Sequence, residues 1–109
     1  MDRDHLGGFE HIVILALMRL REQAYGVSIR QEIEARTGRE VSIGAVYATL
    51  ERLEAKGYVR SHLGEPTVER GGRSKRVFRI TSNGVTAVNR THRALSHLSE
   101  GLDLIRGVS

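Results

Sequence analysis

The stretch from Ser42 to Leu63, SIGAVYATLERLEAKGYVRSHL, changes its apolar period partway along. Val46, Leu50 and Leu53 fall at i, i+4 and i+7, the spacing that sets side chains on one face of an α-helix. Ser42 stands where the N-cap of that helix belongs, and Gly57 ends it. Beyond Tyr58 the period shortens to two, because Val59, Ser61 and Leu63 alternate with Arg60 and His62, as in a strand. A helix that feeds directly into a strand is the hinge on which the remaining assignments turn.

Downstream, residues 64–74, GEPTVERGGRS, read as a loop around the single proline, Pro66. KRVFRIT then reads as a second strand, antiparallel to the first, with Phe78 and Ile80 on one face and Val77 and Arg79 on the other. Thr81 or Ser82 can cap a last helix running to about residue 105. Its stripe is Val88, Leu95, Leu98, Leu102 and Ile105, with Thr91 at one position where an apolar residue is expected. Upstream, Tyr25, Ile29 and Ile33 mark a helix with Gly38 as its left-handed C-terminal cap. Before it, Phe9, Ile12, Val13, Ala16, Leu17 and Leu20 mark a first helix over about residues 8–22. Ile14, Leu15 and Met18 extend its apolar surface around most of the circumference, as expected of a helix wedged between its own core and a partner subunit.

The fold class that follows is mainly α with a small β-hairpin (α+β). Three helices, a hairpin and a final helix are the order of a winged helix-turn-helix over residues 1–81, with a C-terminal dimerisation helix over 82–109, in one compact unit. At 109 residues the chain suffices for one modest core, which makes burial by self-association plausible.

Composition excludes several alternatives. There is no cysteine, so neither a disulfide framework nor a thiolate metal site is available, which fits a reducing cytoplasm. The longest apolar run, Ile12 to Met18, is seven residues against the roughly 20 that span a bilayer. The opening residues MDRDHLGG lack the basic-then-apolar order of a signal peptide, so a cytoplasmic location without membrane attachment is expected. Of the five histidines none forms HExxH or an i, i+4 pair, and no nucleophile–base or carboxylate dyad stands out. Neither catalysis, a metal nor a cofactor is expected.

The net charge of +4 is concentrated. Residues 1–57 carry eight Lys/Arg against nine Asp/Glu, whereas residues 58–81 carry six against two. That local excess sits in ERGGRSKRVFRI, Glu69 to Ile80, and indicates a polyanion surface. GGRSKR lacks the G-x-x-x-x-G-K-[ST] order of a phosphate-binding enzyme loop and precedes a strand instead of opening a helix. The remaining alternatives are a solvated turn and a hairpin that grips nucleic acid. In the latter, Arg70, Arg73, Lys75, Arg76 and Arg79 neutralise phosphates, Arg73 at the tip and Arg79 also able to pair with a carboxylate. On the third helix a wheel sets Gly44, Ala48 and Arg52 opposite the apolar face, with Ala45 and Thr49 on one flank and Tyr47 and Glu51 on the other. Small residues permit close approach to a groove, Arg52 can reach guanine or phosphate, and Tyr47 has either a core role or a phosphate-donating hydroxyl. Ser42 either caps the helix alone or also helps its N-terminus hold a phosphate.

Four segments, GGFEHIVILALM, AYGVSIRQEIE, SIGAVYATLERLEAKGYV and GGRSKRVFRITSNG, resemble in order and spacing the PadR family of bacterial transcriptional regulators over about residues 7–84. The resemblance rests on G-x-[VI]-Y-x-x-L-x-x-L-x-x-x-G, here Gly44, Val46, Tyr47, Leu50, Leu53 and Gly57, followed by the wing pattern G-R-x-K-x-x-[FY]-x-[IL]-T-x-x-G. It implies a homodimeric repressor binding an operator of imperfect twofold symmetry in double-stranded DNA. Tyr47 and the surface of the third helix would touch DNA in the major groove, while Arg73 and Lys75 would hold backbone or minor groove. The expected DNA-binding set is Ser42, Gly44, Ala45, Tyr47, Ala48, Thr49, Arg52, Arg70, Arg73, Lys75 and Arg76. The expected dimer interface is Phe9, Ile14, Leu15, Met18, Val88, Leu95, Leu98, Leu102 and Ile105. Family members commonly carry proline where this chain has Ala48 and Ser74. Some short members bind flat aromatic compounds between subunits; this chain has no tryptophan and no aromatic in its last helix. The alternatives to a repressor are a dimeric small-molecule sensor and a winged-helix protein-interaction module.

Overall fold

The computed structural model describes residues 6–65 and 74–102. Helix α1 spans Gly8–Leu20 and runs through a single 3-10 turn, Arg21–Gln23, into α2, Gly26–Thr37. Helix α3, Ile43–Ala55, leads into a hairpin of β1, Val59–Leu63, and β2, Arg76–Ile80, and α4, Ser82–Ser99, follows. The strands are antiparallel with Val59 opposite Ile80 and Leu63 opposite Arg76. On the other edge of β2 the Phe78 amide donates to the Ala24 carbonyl at 2.8 Å, so the connection between α1 and α2 flanks the hairpin as a short third segment.

Local chemistry sets the element ends. The Glu10 carboxylate accepts the Gly7 amide at 2.8 Å, closing the first turn of α1. Ser42 and Thr81 accept the amides of Ala45 and Gly84, each at 3.0 Å, and so cap α3 and α4. Gly38 ends α2 at φ 71°, where a side chain would be strained.

One core unites these elements. Val13, Ile14 and Leu17 of α1 meet Ile29 and Ile33 of α2, Val46, Leu50 and Leu53 of α3, and Val59 and Phe78 of the hairpin. Phe78 is the largest fully buried side chain, so the wing is rooted in the core and does not lie on it loosely. The first half of α4 joins this body through Gly84, Ala87, Val88 and Thr91. Gly84 packs so tightly on the Tyr58 carbonyl that a Cβ there would collide with it. Thr91, at the expected apolar position, is buried and accepts the Leu6 amide at 3.0 Å through its hydroxyl.

Three expectations change. Helix α4 ends at Ser99, with Gly101 at φ 80°, so Leu102 lies just past the helix and Ile105 outside the described residues. Val77 is buried, although alternation assigns it to the outer face, and Gly64 packs closely against its Cγ2. Ile14 and Val88 belong to the chain's own core at 0% and 6% exposure, leaving no useful surface for a second subunit.

Candidate nucleic-acid interface

Two carboxylates tie the C-terminal half of helix α3 to its neighbours: Glu10 reaches it from α1, and Glu54 reaches out from it to the hairpin. Glu10 of α1 is buried, with Lys56 Nζ at 2.9 Å and Arg52 Nε at 3.7 Å. Burial alone raises the pKa of this carboxyl. The hydrogen bonds from Lys56 and the Gly7 amide, with the charges of Lys56 and Arg52, outweigh burial and hold it below its ordinary value. On the hairpin side, Glu54 accepts the Ser61 amide at 3.2 Å, the Ser61 hydroxyl at 2.9 Å and Arg76 Nη2 at 2.9 Å. The helix is thereby tied to α1 and to the wing, which sets how its exposed face stands relative to the wing.

The N-terminal half of α3 is left free of such ties. Ser42, Gly44, Ala45 and Ala48 are exposed. A Cβ at Gly44 would meet nothing within 4 Å, so no internal contact demands a glycine there. Its smallness, with that of Ala45 and Ala48, gives the exposed face of the helix a low profile. Glu51 is exposed farther along the same surface.

Beside this face three elements converge. Tyr47 projects from α3 and lays its ring over Gly26, the first residue of α2, so closely that a side chain there would overlap the ring and its hydroxyl. The ring is half-buried against the core. Lys75, at the foot of the wing, places its ammonium 4.1 Å from the centre of the Tyr25 ring, a cation–π contact at the N-cap of α2. A phenol hydroxyl, an ammonium and the positive end of a helix dipole therefore share one corner, a combination suited to a phosphate oxygen. Glu22 and Glu65 line the groove beside Lys75 as well.

The sequence-derived site residues separate into groups. Ser42, Gly44, Ala45 and Ala48 are exposed on α3, and Tyr47 and Lys75 each lie against the start of α2, at Gly26 and Tyr25. Thr49 is instead buried, and its hydroxyl accepts from Arg52 at 3.2 Å. Arg52 is drawn toward Glu10, and Arg76 is bound to Glu54 and Ser61. Both arginines serve the fold first. Arg79 has no carboxylate partner among the described residues. Arg70 and Arg73 lie outside the described residues. Sequence reasoning passed over Glu10, Gly26, Lys56 and Glu54. Only the Gly7-to-Glu10 spacing, a helix-start pattern, carried a local signal.

Of the expected dimer residues, Leu15, Met18, Leu95, Leu98 and Leu102 are exposed, Leu98 by 78%, and Phe9 is half-buried beneath the Arg39 guanidinium. The buried half of the α4 stripe thus continues into an unpartnered half. His11 of α1 has its Nε2 buried without a hydrogen bond, and burial together with the charge of His92 pushes its pKa below the ordinary histidine value. Among the described residues no three potential ligands cluster to hold a metal, and no helix is long and apolar enough to cross a membrane.

Comparison with known proteins agrees with this geometry. Residues 14–90 match the family model described as Transcriptional regulator PadR-like family. Over 77 residues the chain is 39% identical to Transcriptional regulator Rv3488 of Mycobacterium tuberculosis, a span of 71% of this chain and 67% of that protein. A PadR family transcription regulator from Clostridium difficile superposes with a TM-score of 0.69 at 21% identity, over 90% of this chain and 98% of that one. A winged-helix DNA-binding protein from STIV superposes with a TM-score of 0.66 at 18% identity, over 84% of this chain and 90% of that one. At such identities the two structures speak for the fold alone, which is a winged helix.

Proposed function

We propose a function for this chain from one premise: it belongs to the PadR-like family of transcriptional regulators, proteins that are not enzymes. The chain acts as a homodimeric repressor that docks α3 in the major groove of an operator with imperfect twofold symmetry. The observation that carries this reading is the exposed, small-residue face of Gly44, Ala45 and Ala48 on a helix tied to α1 through Glu10 and to the hairpin through Glu54. A low-profile helix gains base contacts by approach of its backbone, while Tyr47 and Lys75 anchor the adjoining phosphate and set register. Arg70 and Arg73 extend the grip along the wing, as their sequence position suggests. Arg52 remains 56% exposed at 3.7 Å from Glu10, so base choice rests on residues 42–52.

The dimer forms through Leu15 and Met18 of α1 and the exposed Leu95, Leu98 and Leu102 at the end of α4. Apolar side chains that exposed, continuing a stripe already buried in the monomer, favour a second copy as their cover. A second reading, a small-molecule sensor, has support in the groove between α1 and α2, where Ile12, Leu15, Met18 and Ile33 lie below Arg19 and Glu32.

Gel shift on DNA from upstream of the chain's own coding region, with excess nonspecific duplex, tests the repressor reading. A discrete complex resistant to competitor is expected, and its absence would remove sequence-specific binding. Thermal shift against planar aromatic and phenolic compounds tests the sensor reading.

A further inference from the structure

The outward face of the hairpin carries a charge arrangement that the fold does not need. Arg60 stands directly opposite Arg79 in the ladder. The Gly64 amide donates to the Lys75 carbonyl at 2.7 Å and the Thr81 amide to the Tyr58 carbonyl at 3.0 Å, which fixes the phase. Arg60 and Arg79 therefore form a hydrogen-bonded pair, with Cα atoms about 5.5 Å apart. Like charges directly opposite each other destabilise an antiparallel pair. Both side chains are exposed, and neither has a carboxylate partner among the described residues. On the opposite face the fold does neutralise an arginine, because Arg76 meets Glu54 at 2.9 Å. One wing arginine is satisfied and two are left facing each other.

The surroundings suit an anion. His62, Thr81 and Ser82 line the shallow groove beside the pair. Arg79 and His62 also border the neighbouring groove that holds Lys75 and Tyr25, where Glu22 and Glu65 offset the charge of Lys75, so the excess of positive charge is centred on the Arg60 and Arg79 pair. Lys75 and Arg79 are four residues apart along extended chain, about 13 Å, which is too far for both to serve a single phosphate. The planar guanidinium fork matches phosphate oxygens two at a time.

Resting on the reading that the chain binds duplex DNA, we propose that Arg60 and Arg79, on the two strands of the hairpin, form a second phosphodiester site apart from α3. It holds backbone phosphates that flank the groove entered by α3. The pair lengthens the footprint and raises affinity for any sequence, and mutual repulsion in the free protein is relieved on the DNA.

The test uses Arg60→Gln, Arg79→Gln and the double variant of the full chain. Binding to a long duplex is followed by fluorescence anisotropy between 50 and 200 mM salt. Each phosphate contact contributes a slope of about 0.9 in log affinity against log salt, so each single variant loses about 0.9 and the double variant about 1.8. Over that fourfold salt range the parent then loses ~12-fold more affinity than the double variant. Without DNA the double variant melts at or above the parent temperature, since a like-charge pair has been removed. An unchanged slope on DNA that the parent binds would overturn the proposal, as would a lower melting temperature, which would mark the pair as structural. Failure of the parent to bind any duplex is a different outcome and removes the DNA-binding reading itself. If inorganic phosphate at constant ionic strength raises the melting temperature of the parent alone while the slopes agree, the pair holds a free anion and the flanking contact is wrong.

Discussion

Gly26→Ala probes the corner on which the proposed interface depends. The added Cβ would lie 2.6 Å from Tyr47 Cε2 and nearer still to Cζ and the hydroxyl. Non-bonded carbons settle at about 3.5–4.0 Å, so the ring must retreat by about 1 Å or more. Tyr47 follows buried Val46 on α3, and its ring has the core on one side and Gly26 on the other. Overfilling of this kind costs about 1–3 kcal/mol. Alanine over glycine returns up to about 1 kcal/mol of helix propensity, less in the first turn. The net loss is about 1–2 kcal/mol, read as about 4–8 °C of melting temperature per kcal/mol for a domain this small. The assay is thermal and urea unfolding of the parent, Gly26→Ala, Tyr47→Ala and the double variant, all at one protein concentration because a dimer couples stability to concentration. In the Tyr47→Ala background the collision is gone, and Gly26→Ala becomes neutral or slightly stabilising. The coupling then exceeds the additivity error of about 0.3–0.5 kcal/mol. Equal costs of Gly26→Ala in both backgrounds would refute the reasoning. The same displacement shifts the phenol hydroxyl, so the DNA affinity of folded Gly26→Ala should fall toward that of Tyr47→Phe.

The other expectations concern the wing, the helix faces and pH. Glu54→Gln weakens the tie between α3 and the hairpin, at a cost of about 1–2 kcal/mol, and accelerates hydrogen exchange of the β1 and β2 amides before those of α1. An unaltered exchange order would show that Phe78 alone holds the wing. Leu95→Asp with Leu98→Asp leaves helix content intact, because both side chains are more than half exposed in the single chain, and yields a monomer by light scattering. A persisting dimer would move the interface elsewhere. The depressed Glu10 carboxyl contributes stability that is whole above the ordinary carboxyl value of 4.5 and is lost as pH falls through its lower folded value, so Glu10→Gln flattens unfolding midpoints in that acid range. The depressed His11 favours the neutral ring in the fold, and stability therefore declines as pH drops below 6.5; His11→Gln removes that decline.

The sequence by itself determined the element order and the caps, because periods of 3.6 and 2 and the capping preferences of Ser42, Thr81 and Gly38 are local properties of the chain. It also showed where the positive charge gathers, since a count along the chain needs no coordinates. It misjudged residues whose role depends on what packs beside them. Thr49 and Arg52 sit on the flank and outer side of a helical wheel, yet the first is buried and the second is drawn toward Glu10 of α1. Ile14 and Val88 read as surface for a partner but fill the chain's own core. A wheel gives angle about one axis and knows nothing of the neighbouring bodies. The tertiary structure alone decided that Glu10 ties α3 to α1 and Glu54 ties it to the hairpin, that Gly26 is small to admit Tyr47, and that Arg60 faces Arg79. Each depends on contacts between distant parts of the chain, as Glu10 with Lys56 or Glu54 with Arg76, and such meetings leave no period or spacing to read.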